Sequence, residues 1–217
     1  MIQKHIPLRS AILAAAILLA PQGAAAEGLY VRALGGLSLL QDDTARLGTA
    51  PRTDASYDSG FATGAALGYA LTDNIAAEVE FMYRTADLGS FDTPTLGRSG
   101  DFASAILSAH AVYTFDGWYT GAGGTCRPFI GLGLGLVEEV DFDLAGGTIA
   151  QAYQSSGDLV WQVRAGADWA FAENWSLTGE IRYLDMGTPS LEAKTSGPDL
   201  KAAYGTVDVL LGLTYRF

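Results

Sequence analysis

Ser108 and His110 are the residues best suited to catalysis in this 217-residue chain. A serine beside a histidine can hydrolyse an acyl ester when the imidazole removes the hydroxyl proton. Side chains two residues apart in a β-strand lie on the same face, so this pair would share a face with Ser104 and Thr114. The neighbouring segments place their charged residues on that face. We expect this charged face to line an enclosed interior, as argued below. A histidine there cannot reach a lipid ester, so we expect His110 to make structural hydrogen bonds.

Other site chemistry has less support in the sequence. His110 and Cys126 are far apart and belong to no cluster with metal-ligand spacing. Gly131, Gly133 and Gly135 repeat at a spacing of two, which differs from the G-x-G-x-x-G phosphate pattern, and no helical pattern follows them. We expect these glycines to leave room for large side chains opposite. No cofactor is predicted, and a single cysteine excludes an internal disulfide.

An acidic cluster flanks the segment 141–157, and its members are Glu138, Glu139, Asp141, Asp143 and Asp158. Two interpretations are open. Like charges at this density are typical of a solvated loop that stays extended by self-repulsion. Carboxylate oxygens also suit calcium or magnesium, which could bridge the cluster to the phosphates of lipopolysaccharide.

The elements that must position these residues are β-strands. Apolar residues recur at every second position, the strand period, in eight stretches: 28–40, 60–71, 75–86, 101–115, 128–140, 158–171, 176–187 and 203–217. Short links at 72–74 and 172–175 alternate with long ones near 41–59, 87–100, 141–157 and 186–202. The link 116–127 is longer than a tight turn. This arrangement predicts antiparallel strands joined alternately by turns and loops.

Each stretch has one apolar face and one face that mixes charge with small residues. In the last stretch the apolar face holds Val207, Val209, Leu211, Leu213, Tyr215 and Phe217, and Leu210 is the one apolar exception on the other face. A soluble sandwich would also alternate, but its solvent face would be rich in Lys and Thr rather than glycine. Glycine beside charge fits a crowded interior. We therefore predict an all-β fold, an eight-stranded antiparallel transmembrane up-and-down β-barrel with aromatic girdles that include Tyr30, Tyr83, Trp169 and Trp175.

The inward face is predicted to carry a network of ion pairs that plugs the lumen. Its members are Arg32, Glu78, Glu80, Arg84, His110, Arg164, Asp168, Glu180, Arg182, Asp208 and Arg216. Five acids and five arginines balance before His110 is counted. Because an eight-stranded lumen is just wide enough for side chains to fill, balanced charge favours mutual pairing over an ion-selective pore.

Residues 1–26 have the layout of a cleaved secretory signal peptide. Lys4 and Arg9 precede an apolar stretch at 11–20, and small residues then predict cleavage after Ala26. The barrel domain would be 27–217. Without Lys4 and Arg9, 11 of the 13 basic residues remain beside 24 acidic ones, which argues against nucleic acid as a partner.

The stretches PFIGLGLGLV (128–137), WQVRAGADWAFAENWSLTGEIRYLDMG (161–187) and LGLTYRF (211–217) resemble the small outer-membrane β-barrels of Gram-negative bacteria, in the opacity-protein and OmpA-like group of the porin family. The resemblance implies insertion into the bacterial outer membrane, exposure at the cell surface and no common enzymatic activity. It also implies that the barrel assembly machinery reads a signal formed by Leu211, Leu213, Tyr215 and Phe217.

Our first functional hypothesis is a structural, surface-exposed and non-enzymatic barrel protein that serves membrane integrity, adhesion or antigenic display. The alternative is a passive channel for small solutes. A lipid-modifying enzyme is the third hypothesis, and it lacks an outward nucleophile. The expected partners are outer-membrane lipids, lipopolysaccharide, the assembly machinery, and host or surface ligands that contact the loops.

Overall fold

The computed structural model describes residues 28–41, 43–47, 53–57, 59–91, 99–120, 124–145, 152–187, 190–193, 200–202 and 204–217. The predicted signal peptide lies outside these residues, so it stays a prediction. Within the described ranges, no helix has the length and apolar character needed to cross a membrane.

The described chain forms fourteen strands. They are β1 (Leu29–Leu40), β2 (Asp43–Leu47), β3 (Thr53–Tyr57), β4 (Gly60–Ala70), β5 (Ile75–Phe91), β6 (Ser99–Thr114), β7 (Trp118–Thr120), β8 (Gly124–Ala145), β9 (Ala152–Ser155), β10 (Leu159–Ala170), β11 (Trp175–Gly187), β12 (Ser190–Ala193), β13 (Leu200–Ala202) and β14 (Tyr204–Arg216).

Eight long strands close into one antiparallel barrel in the order β1, β4, β5, β6, β8, β10, β11, β14. The last strand pairs with the first from Tyr30↔Arg216 to Leu40↔Thr206, which completes the ring. Closure leaves no unpaired sheet edge, as a β-structure in lipid requires. The predicted eight-stranded antiparallel barrel is confirmed.

The predicted long loops are partly wrong, because strand pairing continues into them. Above the barrel, β3, β2, β13, β12 and β9 pair in series between the extended ends of β5 and β8. These segments lie beyond the part of the wall that crosses lipid, so no lipid-facing side imposes the strand period on their sequence. The long link 116–127 also has an explanation, since β7 pairs with the first residues of β8.

The two faces of the wall differ as the alternation predicts. Leu132 and Leu211 point outward and are 65% and 67% exposed, whereas the inward Arg164 and Asp208 are 1% and 0% exposed. A register shift between Ala105 and Ile106 of β6, opposite residue 138 of β8, changes the parity of β8. As a result both Val137 and Val140 are buried. β8 also continues to Ala145, so Asp141 and Asp143 lie on a strand rather than in the predicted loop.

Glycines on the inward face make room for large lumen side chains, as expected. A Cβ at Gly68 would collide with the ring of Tyr30, and one at Gly133 would collide with the ring of His110. Tyr30 was predicted in an aromatic girdle, and that placement is wrong. The tyrosine shares the parity of Arg32 and points into the lumen, where it is 5% exposed.

The charged lumen as the candidate functional site

The centre of the lumen is an ion-pair cluster built from three strands. Arg182 of β11 contacts two carboxylates: its Nη2 lies 2.8 Å from Glu80 Oε2 and 2.7 Å from Glu180 Oε1. Arg164 of β10 pairs with Glu78 and lies 3.6 Å from Glu180 Oε2. All five side chains are buried. Glu78 and Glu80 of β5 therefore contact guanidinium groups on the opposite side of the barrel, and these contacts fill the space a pore would need.

A second group extends this cluster toward the short-turn end of the barrel. The Nη2 of Arg32 lies 3.1 Å from Asp168 Oδ2, and its Nη1 lies 3.4 Å from Glu78 Oε1. Tyr30 donates its hydroxyl proton to Glu78 Oε1 over 2.7 Å. Thr178 donates to Asp168 Oδ1 over 2.6 Å. These hydrogen bonds fix the carboxylates and close the lumen at this level.

His110 lies within the same cluster, so the Ser108–His110 pair exists but is enclosed. Its Nε2 is 2.8 Å from Ser108 Oγ and 3.7 Å from Glu80 Oε1. The side chains of His110 and Glu80 have no exposed surface. An acyl chain in the surrounding lipid has no path to this imidazole, because the closed wall separates them.

An apolar layer lies next to the charged cluster, and the sequence analysis missed it. Leu34, Ala62, Met82 and Leu210 pack together inside the barrel. On β5 the inward order is Glu80, Met82, Arg84, so this layer lies between two charged levels. Leu210, noted above as an exception on the polar face, was the available signal.

Beyond the apolar layer a separate ion pair joins β5 to β14. Arg84 Nη2 lies 2.8 Å from Asp208 Oδ2, and Ser38 donates to the other carboxylate oxygen over 2.7 Å. The lumen toward the long-loop end is again largely apolar, and its buried side chains include Phe102, Ile106, Val137, Val140, Val160, Leu184 and Met186. The main charged cluster thus lies toward the short-turn end, and the section beyond the Arg84–Asp208 pair, called the apolar half below, lies toward the long-loop end.

Arg216 is the predicted network residue that the structure places elsewhere. Its guanidinium lies 6.0 Å from the centroid of the Tyr30 ring, and the side chain is half-buried at the rim. In the described part of the chain it joins no ion pair. Parity assigns Arg216 to the inward face, but β14 ends at this residue, so its side chain lies at the rim of the barrel rather than inside it.

The residues of the predicted assembly signal lie on the outer wall near the short-turn end. Leu211 and Leu213 are exposed. The Tyr215 ring lies 4.9 Å from that of Trp175 and 5.1 Å from that of Phe217. The backbone N–H of Phe217 donates to Leu29 O over 3.1 Å. Recognition of these four signal residues by the barrel assembly machinery stays a prediction.

Comparison with known proteins decides the family. The family model described as the outer membrane protein beta-barrel domain matches residues 10–217. The chain belongs to this outer-membrane β-barrel family. Among curated relatives of the family, outer membrane protein W of Vibrio cholerae serotype O1 is 27% identical in an alignment 197 residues long that covers 87% of each chain.

Solved structures of outer-membrane barrels share the fold. Neisserial surface protein A has a TM-score of 0.56 at 20% identity, with 88% of this chain and 98% of that chain covered. OprG of Pseudomonas aeruginosa has a TM-score of 0.56 at 16% identity, with 88% and 97% covered. The family match places the protein in the bacterial outer membrane. In barrels of this kind the short turns face the periplasm and the long segments face the cell exterior.

The described residues contain no group of three or more His, Cys, Asp or Glu side chains that could hold a metal ion. Cys126 is a half-buried free thiol near the periplasmic end of β8.

Proposed function

We propose that this outer-membrane barrel is a non-enzymatic surface protein that does not conduct ions and that presents its long extracellular segments on a sealed scaffold. The observation that carries the proposal is the set of ion pairs across the lumen. They link β1, β5, β6, β10, β11 and β14, and none of their side chains is more than 8% exposed. Sealing by paired charge supports a structural or adhesive role over a pore.

The charge inventory also argues against an ion channel. The buried network holds five carboxylates, four guanidinium groups and His110. A selective pore needs an excess of one sign along a wet path, whereas these charges are nearly balanced and contact one another. The enclosed Ser108–His110 pair supports the non-enzymatic part of the proposal, since its polar contacts among the described residues are with another lumen side chain, Glu80.

Planar-bilayer recording tests the proposal. The wild-type barrel is expected to show no steady conductance. Glu180→Ala removes one acid from the central cluster and should admit water and transient current if the barrel still folds. Arg127→Ala is the control, because Arg127 donates to the backbone oxygen of Asp73 outside the lumen. Steady, well-defined conductance from the wild-type protein would contradict the proposal.

The apolar half of the lumen favours a second candidate, a passive route or binding chamber for small solutes. Val160 and Leu184 are fully buried near its centre, and Phe102 stacks on Tyr204 with centroids 5.0 Å apart. A chamber lined in this way would accept apolar rather than charged solutes. Equilibrium binding of naphthalene, followed by its fluorescence, tests this candidate. Leu184→Asp should abolish binding, and Leu177→Ala on the outer wall should not.

A further inference from the structure

The guanidinium group of Arg84 is only partly used by the side chains around it. Its Nε and Nη2 lie 2.9 Å and 2.8 Å from the same oxygen of Asp208, Oδ2. In the described part of the chain Nη1 has no hydrogen-bond partner, and the Nη2 contact lacks hydrogen-bond geometry. The side chain is 0% exposed, so bulk solvent does not reach these donors. Arg84 therefore keeps one edge of the group, formed by Nη1 and Nη2, open.

Arg182 has both edges of its guanidinium group occupied in the same lumen. Its Nε and Nη2 lie 2.9 Å and 2.7 Å from Oε1 of Glu180, the arrangement that Arg84 has with Asp208. Its second edge, formed by Nη1 and Nη2, holds the two oxygens of Glu80. A guanidinium group presents donors along both edges. The corresponding edge of Arg84 can therefore donate to a further acceptor.

The open edge lies at the floor of the apolar half of the lumen. Arg84 follows Met82 on the inward face of β5, so it lies between the apolar layer and the apolar half. Its register partners on the two neighbouring strands are Ala62 and Ser104. Ala62 has no polar side-chain group, and Ser104 is already hydrogen-bonded to the hydroxyl of Tyr204 over 3.1 Å. The side chains beside Arg84 therefore leave its open edge unpaired.

A second unused polar group lies near this ion pair. Thr206 precedes Asp208 by two residues on the inward face of β14 and is 0% exposed. Its hydroxyl has no hydrogen-bond partner in the described part of the chain. The cross-strand partner of Thr206 on β11 is Leu184, a fully buried residue of the apolar half. A buried donor without a partner costs free energy, which a guest molecule with an acceptor would recover.

Charge balance favours an uncharged guest. Asp208 already neutralises Arg84, and no second cation pairs with this aspartate in the described part of the chain. The environment of Arg182 is different, because Arg164 lies 3.7 Å from Glu80 and adds a positive charge there. A carboxylate on the open edge of Arg84 would remain uncompensated in a poorly hydrated interior. A carbonyl oxygen has two lone pairs and no charge, so it can accept from both nitrogens of this edge.

We propose that Arg84 makes the apolar half of the lumen selective for uncharged, apolar solutes that carry a carbonyl oxygen. The hydrocarbon part contacts the apolar side chains, and the carbonyl oxygen accepts hydrogen bonds from Nη1 and Nη2, with the hydroxyl of Thr206 as a neighbouring donor. Solutes enter from the long-loop end, because the ion-pair cluster fills the other end. This inference rests on the second candidate function above, the apolar chamber, and adds the class of its ligand.

Equilibrium dialysis in detergent tests the assignment with two ligands of the same shape. They are acetylnaphthalene and isopropenylnaphthalene, which has a methylene group in place of the carbonyl oxygen. Each dissociation constant is corrected for partition into micelles without protein. We expect the wild-type protein to bind the ketone about tenfold more tightly, the size of one hydrogen bond to a charged donor. Equal affinities would overturn the assignment, and tighter binding of naphthoate than of the ketone would overturn the uncharged class.

Variants separate the role of Arg84 from the chamber itself. Arg84→Met combined with Asp208→Asn removes the guanidinium group without stranding a charge. This double variant should keep the wild-type affinity for naphthalene and bind the two matched ligands equally. Arg216→Met makes the same change at the half-buried rim arginine and should keep the preference for the ketone.

Each outcome has a distinct meaning. A preference for the ketone that persists in the double variant would reject Arg84 as its source. Failure of the wild-type protein to bind naphthalene would reject the chamber, and the inference would fall with it. Naphthalene binding without a preference for the ketone would reject only the role of Arg84. The matched ligands decide this on the wild-type protein alone, even if the double variant fails to fold.

Discussion

At the scale of single residues, the lumen depends on charges that cannot be removed one at a time. Arg182 lies between Glu80 and Glu180, and both acids are buried with it. A buried ion pair adds little stability over well-packed apolar residues, because desolvation offsets the attraction. Loss of one partner is different, since it leaves an uncompensated charge in a poorly hydrated interior.

Arg182→Ala is therefore expected to lower the free energy of unfolding by about 3 kcal/mol or more. Urea unfolding of the protein in lipid vesicles measures the change. Combining Arg182→Ala with Glu80→Gln and Glu180→Gln should recover part of the loss, because the stranded charges are then gone. Arg127→Ala is the matched control outside the lumen. Equal stability of Arg182→Ala and Arg127→Ala would show that water enters the network freely.

Gly68→Ala is expected to destabilise the barrel by about 1–3 kcal/mol through overpacking. The added methyl group would meet the ring of Tyr30, which cannot retreat without breaking its hydrogen bond to Glu78. Gly179→Ala is the control, because a Cβ there has no atom within 4 Å. The same urea titration compares the two variants, and the prediction is wrong if both unfold at the wild-type midpoint.

Parity in the sequence identified which residues point inward, and its failures have physical causes. It assigned Arg164 and Glu78 to one face, and their contact across the lumen follows from the small diameter of the barrel. Parity did not predict that Arg164 and Glu78 form an ion pair, since the contact depends on strand order and stagger. The predicted inward position of Arg216 was wrong because β14 ends at this residue. The partner of Tyr30 could not be foreseen, because an inward tyrosine and a girdle tyrosine look alike in one strand.

At the scale of elements, the sequence showed where strands cross lipid but not how far they continue. The eight strand periods arise from contact with lipid on one face, so they end where the wall enters water. There β5, β6 and β8 continue as strands, and β2, β3, β9, β12 and β13 join them. The register shift opposite residue 138 was also beyond sequence reasoning, because an extra residue in one strand is visible only beside its partner.

The strand β14 carries the residues proposed as the assembly signal. Replacing Tyr215 and Phe217 together with Ser removes the Tyr215 ring beside Trp175 and the Phe217 ring that packs edge-on against it. We expect a large drop in outer-membrane levels in cells and a smaller loss of stability in detergent, because recognition and packing are separate roles. Immunoblotting of membrane fractions and unfolding of refolded protein measure the two effects. Trp175→Ser is the control, since it removes the neighbouring ring but leaves the signal. Unchanged outer-membrane levels of the double variant would remove the recognition role.

At the scale of the whole molecule, closure makes every transmembrane strand an interior strand. β14 lies between β11 and β1 and pairs with both along nearly its whole length. Each backbone N–H of this strand therefore faces a neighbouring strand rather than water. In lipid an unpaired donor costs several kcal/mol, because no solvent can replace the lost partner.

Leu213→Pro should accordingly prevent closure of the entire barrel rather than loosen one strand. Proline removes a ladder donor inside a strand that is paired on both sides, and sheets tolerate proline only at edges and bulges. Leu213→Ala is the matched control, because it removes the same outward side chain and keeps the donor. The two variants are compared by gel mobility before and after boiling, since a closed barrel and an unfolded chain migrate differently. We expect the alanine variant to keep a folded band and the proline variant to lose it completely. A folded band of wild-type mobility in Leu213→Pro would mean that this strand is free on one side, and the closed ring would then be wrong.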